Sequence, residues 1–132
     1  MSGILRTTVQ VIVVGAATSL LTIGSVAIAV ADPNPVPVPG NYEPGSGDLH
    51  DYCTSPMPNE YLGADFKGAC ARHDQCMEKH RDDQVYGDCH DDFESDLQAV
   101  CNWAFSSTLD YHRRKSCNTY VDGVIAVVRA KN

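Results

Sequence analysis

The 132-residue chain carries 17 acidic side chains against ten basic ones, a formal net charge of −7. That balance excludes the broad basic face nucleic-acid phosphates need and disfavours electrostatic adhesion to anionic membranes, whereas a hard cation such as calcium suits it. Its six cysteines are an even number, which in a short exported chain reads as three disulfides.

Met1 to Ala31 opens with a single charge at Arg6, continues in a nearly uncharged run from Val9 to Val30, and exits through Ala29-Val30-Ala31. This order of basic start, apolar core and small-residue exit predicts a secretory signal peptide over 1–31. An uncleaved membrane anchor is the competing reading, since about 20 apolar residues span a bilayer. Thr18, Ser19, Thr22, Gly24 and Ser25 dilute the run and favour cleavage. Loss of Arg6 then leaves nine basic residues against 17 acidic, a net charge of −8 on 101 residues. That length supports one small domain.

Residues 32–47, "DPNPVPVPGNYEPGSG", hold five prolines and three glycines. Such a linker cannot bury a core and should run as an extended tether ahead of a domain at 48–132. Between Tyr61 and His80, the residues Phe66, Ala69, Cys70, His73, Met77 and His80 recur at helical spacing, with Asp65 as the N-cap. The phase puts His73 on the buried face and Asp74 at its margin.

A second helix is expected from about Cys89 to Phe105, after the turn signal "YGD". Its apolar stripe is Phe93, Leu97, Val100 and Ala104; His90 falls on the stripe's edge and Asp91 points away. A third helix, Asn118 to Ala130, gathers Val121, Val124, Ile125 and Val128 on one face. No segment alternates convincingly as a strand. The fold class is therefore mainly α: two long antiparallel helices, a shorter third and an irregular amino-terminal loop, stapled by disulfides.

The stretch "CARHDQC", Cys70 to Cys76, sets a histidine beside an aspartate. Neighbours on a helix diverge by about 100°, so the two side chains address adjacent atoms rather than one. A neutral imidazole can take a proton from water while the carboxylate holds a cation, a division of labour suited to ester hydrolysis. The competing readings are a satisfied core histidine and a solvated helical charge. No C-x-x-C pair occurs, so structural zinc is not expected. "HRDD" and "HDDFESD" lack the glycine-punctuated spacing of a calcium loop and read as solvated faces. Trp103 should pack at the domain edge, and His50, His80 and His112 take no role.

"ACARHDQC" resembles the active-site helix of the secreted phospholipase A2 family, and "DYCT" its calcium loop in the bacterial branch. "CHDDFESDLQAVC" is similar to the family's second long helix, so the likeness runs from about Asp48 to the carboxyl end. It implies a calcium site made by the carboxylates of Asp51 and Asp74 with the Tyr52 carbonyl. It also implies His73 as general base and His90 as the residue that orients it. The pairing it implies is Cys53–Cys70, Cys76–Cys89 and Cys101–Cys117. Two positions depart from the family: His90 stands where aspartate is usual, and Met77 where tyrosine is usual. The implied activity is a secreted, monomeric, calcium-dependent phospholipase A2 that hydrolyses the sn-2 ester of glycerophospholipids at a membrane or micelle surface. The alternatives are a non-catalytic calcium- or partner-binding module of the same fold, and a calcium-dependent esterase acting on other esters.

Overall fold

The computed structural model describes residues 33–131. The signal segment expected at 1–31 lies outside them. The elements in order are strands β1 (Glu60–Tyr61) and β2 (Ala64–Asp65), helices α1 (Lys67–Lys79) and α2 (Gly87–Ala104), a 3-10 turn (Thr108–Asp110) and helix α3 (Tyr111–Lys131). The chain is thus mainly helical. No described helix is long and apolar enough to cross a membrane.

Two cross-links and two side-chain contacts set the helix directions. Cys76 bonds Cys89 while Arg72, earlier on α1, reaches Asp96, later on α2, so α1 and α2 run antiparallel. Cys101–Cys117 near one end and Arg129 with Asp91 near the other make α2 and α3 antiparallel too. The third bridge, Cys53–Cys70, ties the irregular loop to α1. All three pairs are those expected, and three disulfides are compatible with an extracellular location. Between the helices lies a core of Phe66, Ala69, Phe93, Leu97, Val100, Val121, Val124 and Ile125.

Three elements differ from the sequence reading. First, α1 starts at Lys67 because the preceding residues form a hairpin, with Glu60 opposite Asp65 and Tyr61 opposite Ala64. Two-residue strands are too short to leave an alternation. The turn residues Leu62 and Gly63 both have positive φ, 55° and 96°, as a two-residue hairpin turn requires. The N-cap is Phe66 rather than Asp65, although Asp65 Oδ1 accepts the Lys67 N–H at 3.0 Å.

Second, α3 begins at Tyr111 rather than Asn118 and, with 21 residues, is the longest of the three helices. Its first turns, "YHRRKS", carry no apolar face to read. They are held by Arg114 Nη1, which donates to the Phe105 carbonyl, and by the wholly buried Cys101–Cys117 bridge.

Third, the proline-rich tether packs. Val36 and Tyr42 are buried, and Asn34 fastens the strap by donating from Nδ2 to the Asp65 carbonyl at 3.0 Å. Proline fixes the backbone in an extended form but does not prevent a strap from lying on a helix. Gly68 makes the approach possible, because a Cβ there would sit 1.8 Å from the Val36 carbonyl oxygen. The obstacle is backbone, so the strap itself would have to lift. Gly68→Ala is therefore expected to lower stability by about 1–3 kcal/mol, the range for overpacking. An unchanged denaturation midpoint would show that the strap does not rest there.

Candidate functional site

His73, near the middle of α1, faces His90 in the first turns of α2, with His73 Nε2 3.0 Å from His90 Nδ1. His73 also stacks on Phe93, ring centroids 4.3 Å apart. The antiparallel pairing of α1 and α2, fixed by Cys76–Cys89, brings the three rings together. His90 is 3 % exposed and its Nε2 has no hydrogen-bond partner among the described residues. A buried polar atom left unpaired costs on the order of 1–3 kcal/mol.

Both imidazoles are held neutral. Burial, and then the neighbouring His90, lower the His73 pKa to about 4. Burial lowers that of His90, the Arg129 guanidinium lowers it further, and Asp91 partly offsets this. Asp91 is exposed and engaged by Arg129, which also donates to Glu94 at 2.9 Å. The helix phase thus selects His90, not Asp91, as the partner of His73.

Asp74 is more buried than expected and His73 less. Asp74 is 8 % exposed, whereas His73 is half-buried. The strap causes the exchange: the Tyr42 hydroxyl donates to Asp74 Oδ2 at 2.6 Å and in turn accepts the Tyr52 N–H at 2.9 Å. Tyr42 therefore couples Asp74 to the loop that carries Asp51 and Tyr52. Sequence reasoning missed it, because an aromatic in a proline- and glycine-rich segment has no periodic neighbours to mark it as buried. Burial raises the Asp74 pKa to about 7, against the Tyr42 hydrogen bond, with the charges of Asp51 and Glu78 adding to the rise. The Tyr42 hydroxyl is itself pushed up by burial and then by Asp74.

Asp51 is exposed, its Oδ1 accepting the Thr54 hydroxyl at 3.0 Å. Tyr52 sits at φ 61°, in the left-handed region. The structure thus links Tyr52 and Asp74 through one tyrosine, with Asp51 the residue before Tyr52 and its carboxylate turned to Thr54. A buried carboxylate with one hydrogen bond, raised in pKa by burial first and then by the charge of Asp51, is short of positive charge. That donor set fits a divalent cation with oxygen ligands.

A cavity of about 240 Å³ opens on Tyr52 and Asp74, though Asp51 is not in its wall. His73 and Asp74 lie in its wall with Met57, Met77, Val124 and Val127. A second, polar cavity of about 550 Å³ shares His73 and Phe93 and adds Arg72, Gln75, Asp92 and Asp96. The acidic runs are mostly partnered: Asp83 with His80, Asp96 with Arg72, Asp91 and Glu94 with Arg129. Trp103 is half-buried. One further group, Cys76, His80 and Cys89, brings three ligand-type atoms within 4.8 Å of one another, although its two sulfurs are bonded together. No family model, curated protein or solved structure matches the chain.

Proposed function

We propose that the protein is a secreted, calcium-dependent phospholipase A2-like hydrolase that cleaves the sn-2 ester of glycerophospholipids as a monomer. The observation that carries this reading is the 3.0 Å contact from His73 to His90 at the wall of an apolar cavity that also holds Asp74. In the working tautomer, His73 Nε2–H donates to His90 Nδ1, which leaves His73 Nδ1 with a lone pair. That nitrogen takes a proton from the attacking water, and burial keeps it unprotonated beforehand. His90 fixes the ring's orientation but brings no negative charge, so the imidazolium that forms is stabilised less than it would be by a carboxylate. The apolar cavity suits an acyl chain. Asp51, the Tyr52 carbonyl and Asp74 would hold the calcium ion, which when bound supplies positive charge for a developing oxyanion.

Release of fatty acid from phosphatidylcholine vesicles, with calcium and then with chelator, tests the reading. Calcium-dependent release is expected. The second reading, a non-catalytic module of the same fold, is favoured by one feature: the partner of His73 is uncharged. Calcium binding without release would select that module.

Calcium should also raise the thermal midpoint, because a ligand bound only by the folded state stabilises it by mass action, about 2.7 kcal/mol at 100 times Kd. Asp74→Asn should remove most of the shift, since it takes away the buried carboxylate. If titration calorimetry shows no calcium binding at millimolar concentration, both the metal site and the enzyme reading fail.

A further inference from the structure

Cys76, His80 and Cys89 form a second cluster where the end of α1 meets the start of α2. Cys76 and His80 are four residues apart on α1 and so share a face, and Cys89 meets them from the first turn of α2. The two sulfurs and a ring nitrogen lie within 4.8 Å of one another. His80 Nδ1 is 3.2 and 3.3 Å from the carboxylate oxygens of Asp83. With Nδ1–H donated to Asp83, Nε2 is the nitrogen that keeps a lone pair. This is how a carboxylate fixes the tautomer of a metal-binding imidazole. All three residues line the polar cavity of about 550 Å³, which gives an ion a way in and water a fourth position.

We propose that reduction of the Cys76–Cys89 bridge opens a zinc site made by Cys76, Cys89 and His80 and oriented by Asp83. The bridge is the closed form of a redox-gated centre with two thiolates and one imidazole. A dithiol supplies two electrons and two protons to the S–S bond and leaves as its own cyclic disulfide. The bond breaks to two thiols, and Zn²⁺ displaces one proton from each as two Zn–S bonds form. Two thiolates and an imidazole in a tetrahedral set select zinc over harder cations. Cys76 is half-buried although Cys89 is only 1 % exposed, and both line the polar cavity, which gives a reductant its approach from the Cys76 side. The Cys101–Cys117 bridge has neither property: both its cysteines are wholly buried, and no metal-type group was found around it among the described residues.

The test uses the whole chain, reduced with a dithiol, freed of it without air, and titrated with Co²⁺ and then Zn²⁺. A thiolate-to-cobalt charge-transfer band and tetrahedral d–d bands are expected at one Co²⁺ per chain, bleached by Zn²⁺ and absent from the oxidised protein. Asp83→Asn should weaken zinc binding by about 10- to 100-fold, and His80→Ala by at least as much. The band should be missing from reduced Cys76→Ser/Cys89→Ser. The proposal is overturned if that double variant keeps the band, or if His80→Ala binds zinc as tightly as the parent. It is equally overturned if the reduced chain binds no metal, whether its helical circular dichroism is retained or lost.

Discussion

Replacing His73 with glutamine should abolish turnover of phosphatidylcholine while leaving the helical signal and the calcium-induced stabilisation in place. Glutamine fills similar space beside Phe93 and can still donate toward His90, but it has no nitrogen lone pair able to take a proton from water. General-base catalysis contributes about 10²- to 10⁴-fold, so the loss should be at least of that order. Equal kcat/KM in the variant would sink the assignment. The pH profile gives a second measurement. Because His73 is held to about 4 by burial and His90, protonation of its ring should limit activity only as pH nears that value, and an acid loss already near neutrality belongs instead to Asp74, whose pKa burial raises to about 7. Stability offers a third. His73 has a folded pKa below its unfolded value of about 6.5, so between the two the unfolded chain binds the proton and the folded chain does not. Stability attributable to His73 is therefore present above about 6.5 and is lost as pH falls toward 4. Asp74, with its pKa raised to about 7, works in the opposite direction over the same range. The difference between parent and His73→Gln isolates the His73 contribution: the variant should lose less stability on acidification.

The helices and the inward turn of His90 were legible in the sequence because they follow from periodicity, whereas its pairing with His73 was implied by the phospholipase A2 resemblance. The stripe through Phe93, Leu97 and Val100 leaves one orientation for α2, and that orientation turns His90 inward and Asp91 outward. What periodicity cannot reach is a contact made by chain that has no period. Tyr42 lies in a strap whose prolines mark extended backbone but say nothing of what it rests on. The clue was split between two segments, an isolated tyrosine in the strap and Gly68 on the helix, and only the folded chain puts the Val36 carbonyl against that glycine. The burial of Asp74 is the consequence. Likewise the polar first turns of α3 were unreadable because their helix is held from outside, by Arg114 at the Phe105 carbonyl and by the Cys101–Cys117 bridge.

His90→Ala, Asp91→Ala and His90→Asp together should separate the orienting residue from its neighbour. His90→Ala removes the hydrogen bond that fixes the His73 tautomer and leaves its ring held only by the Phe93 stack. Turnover should fall by about 10²-fold or more, with the calcium-induced shift nearly unchanged, since His90 touches neither Asp51 nor Asp74. Asp91→Ala should do little. Asp91 is exposed, and the Arg129 it engages keeps Glu94 as a partner, so little is lost with the solvent-screened pair. His90→Asp puts a negative charge beside the imidazole, in a place where the Arg129 guanidinium already acts on residue 90. That charge favours the imidazolium which forms as the proton arrives, so turnover should match or exceed the parent's. The same charge raises the His73 pKa from its depressed value, and the acid limb of the rate profile should therefore move to higher pH. A purely structural His90 would move neither rate nor limb in that direction. Should Asp91→Ala prove the damaging change, or His90→Asp leave the acid limb where it stands, the partner of His73 during turnover is not the side chain at position 90.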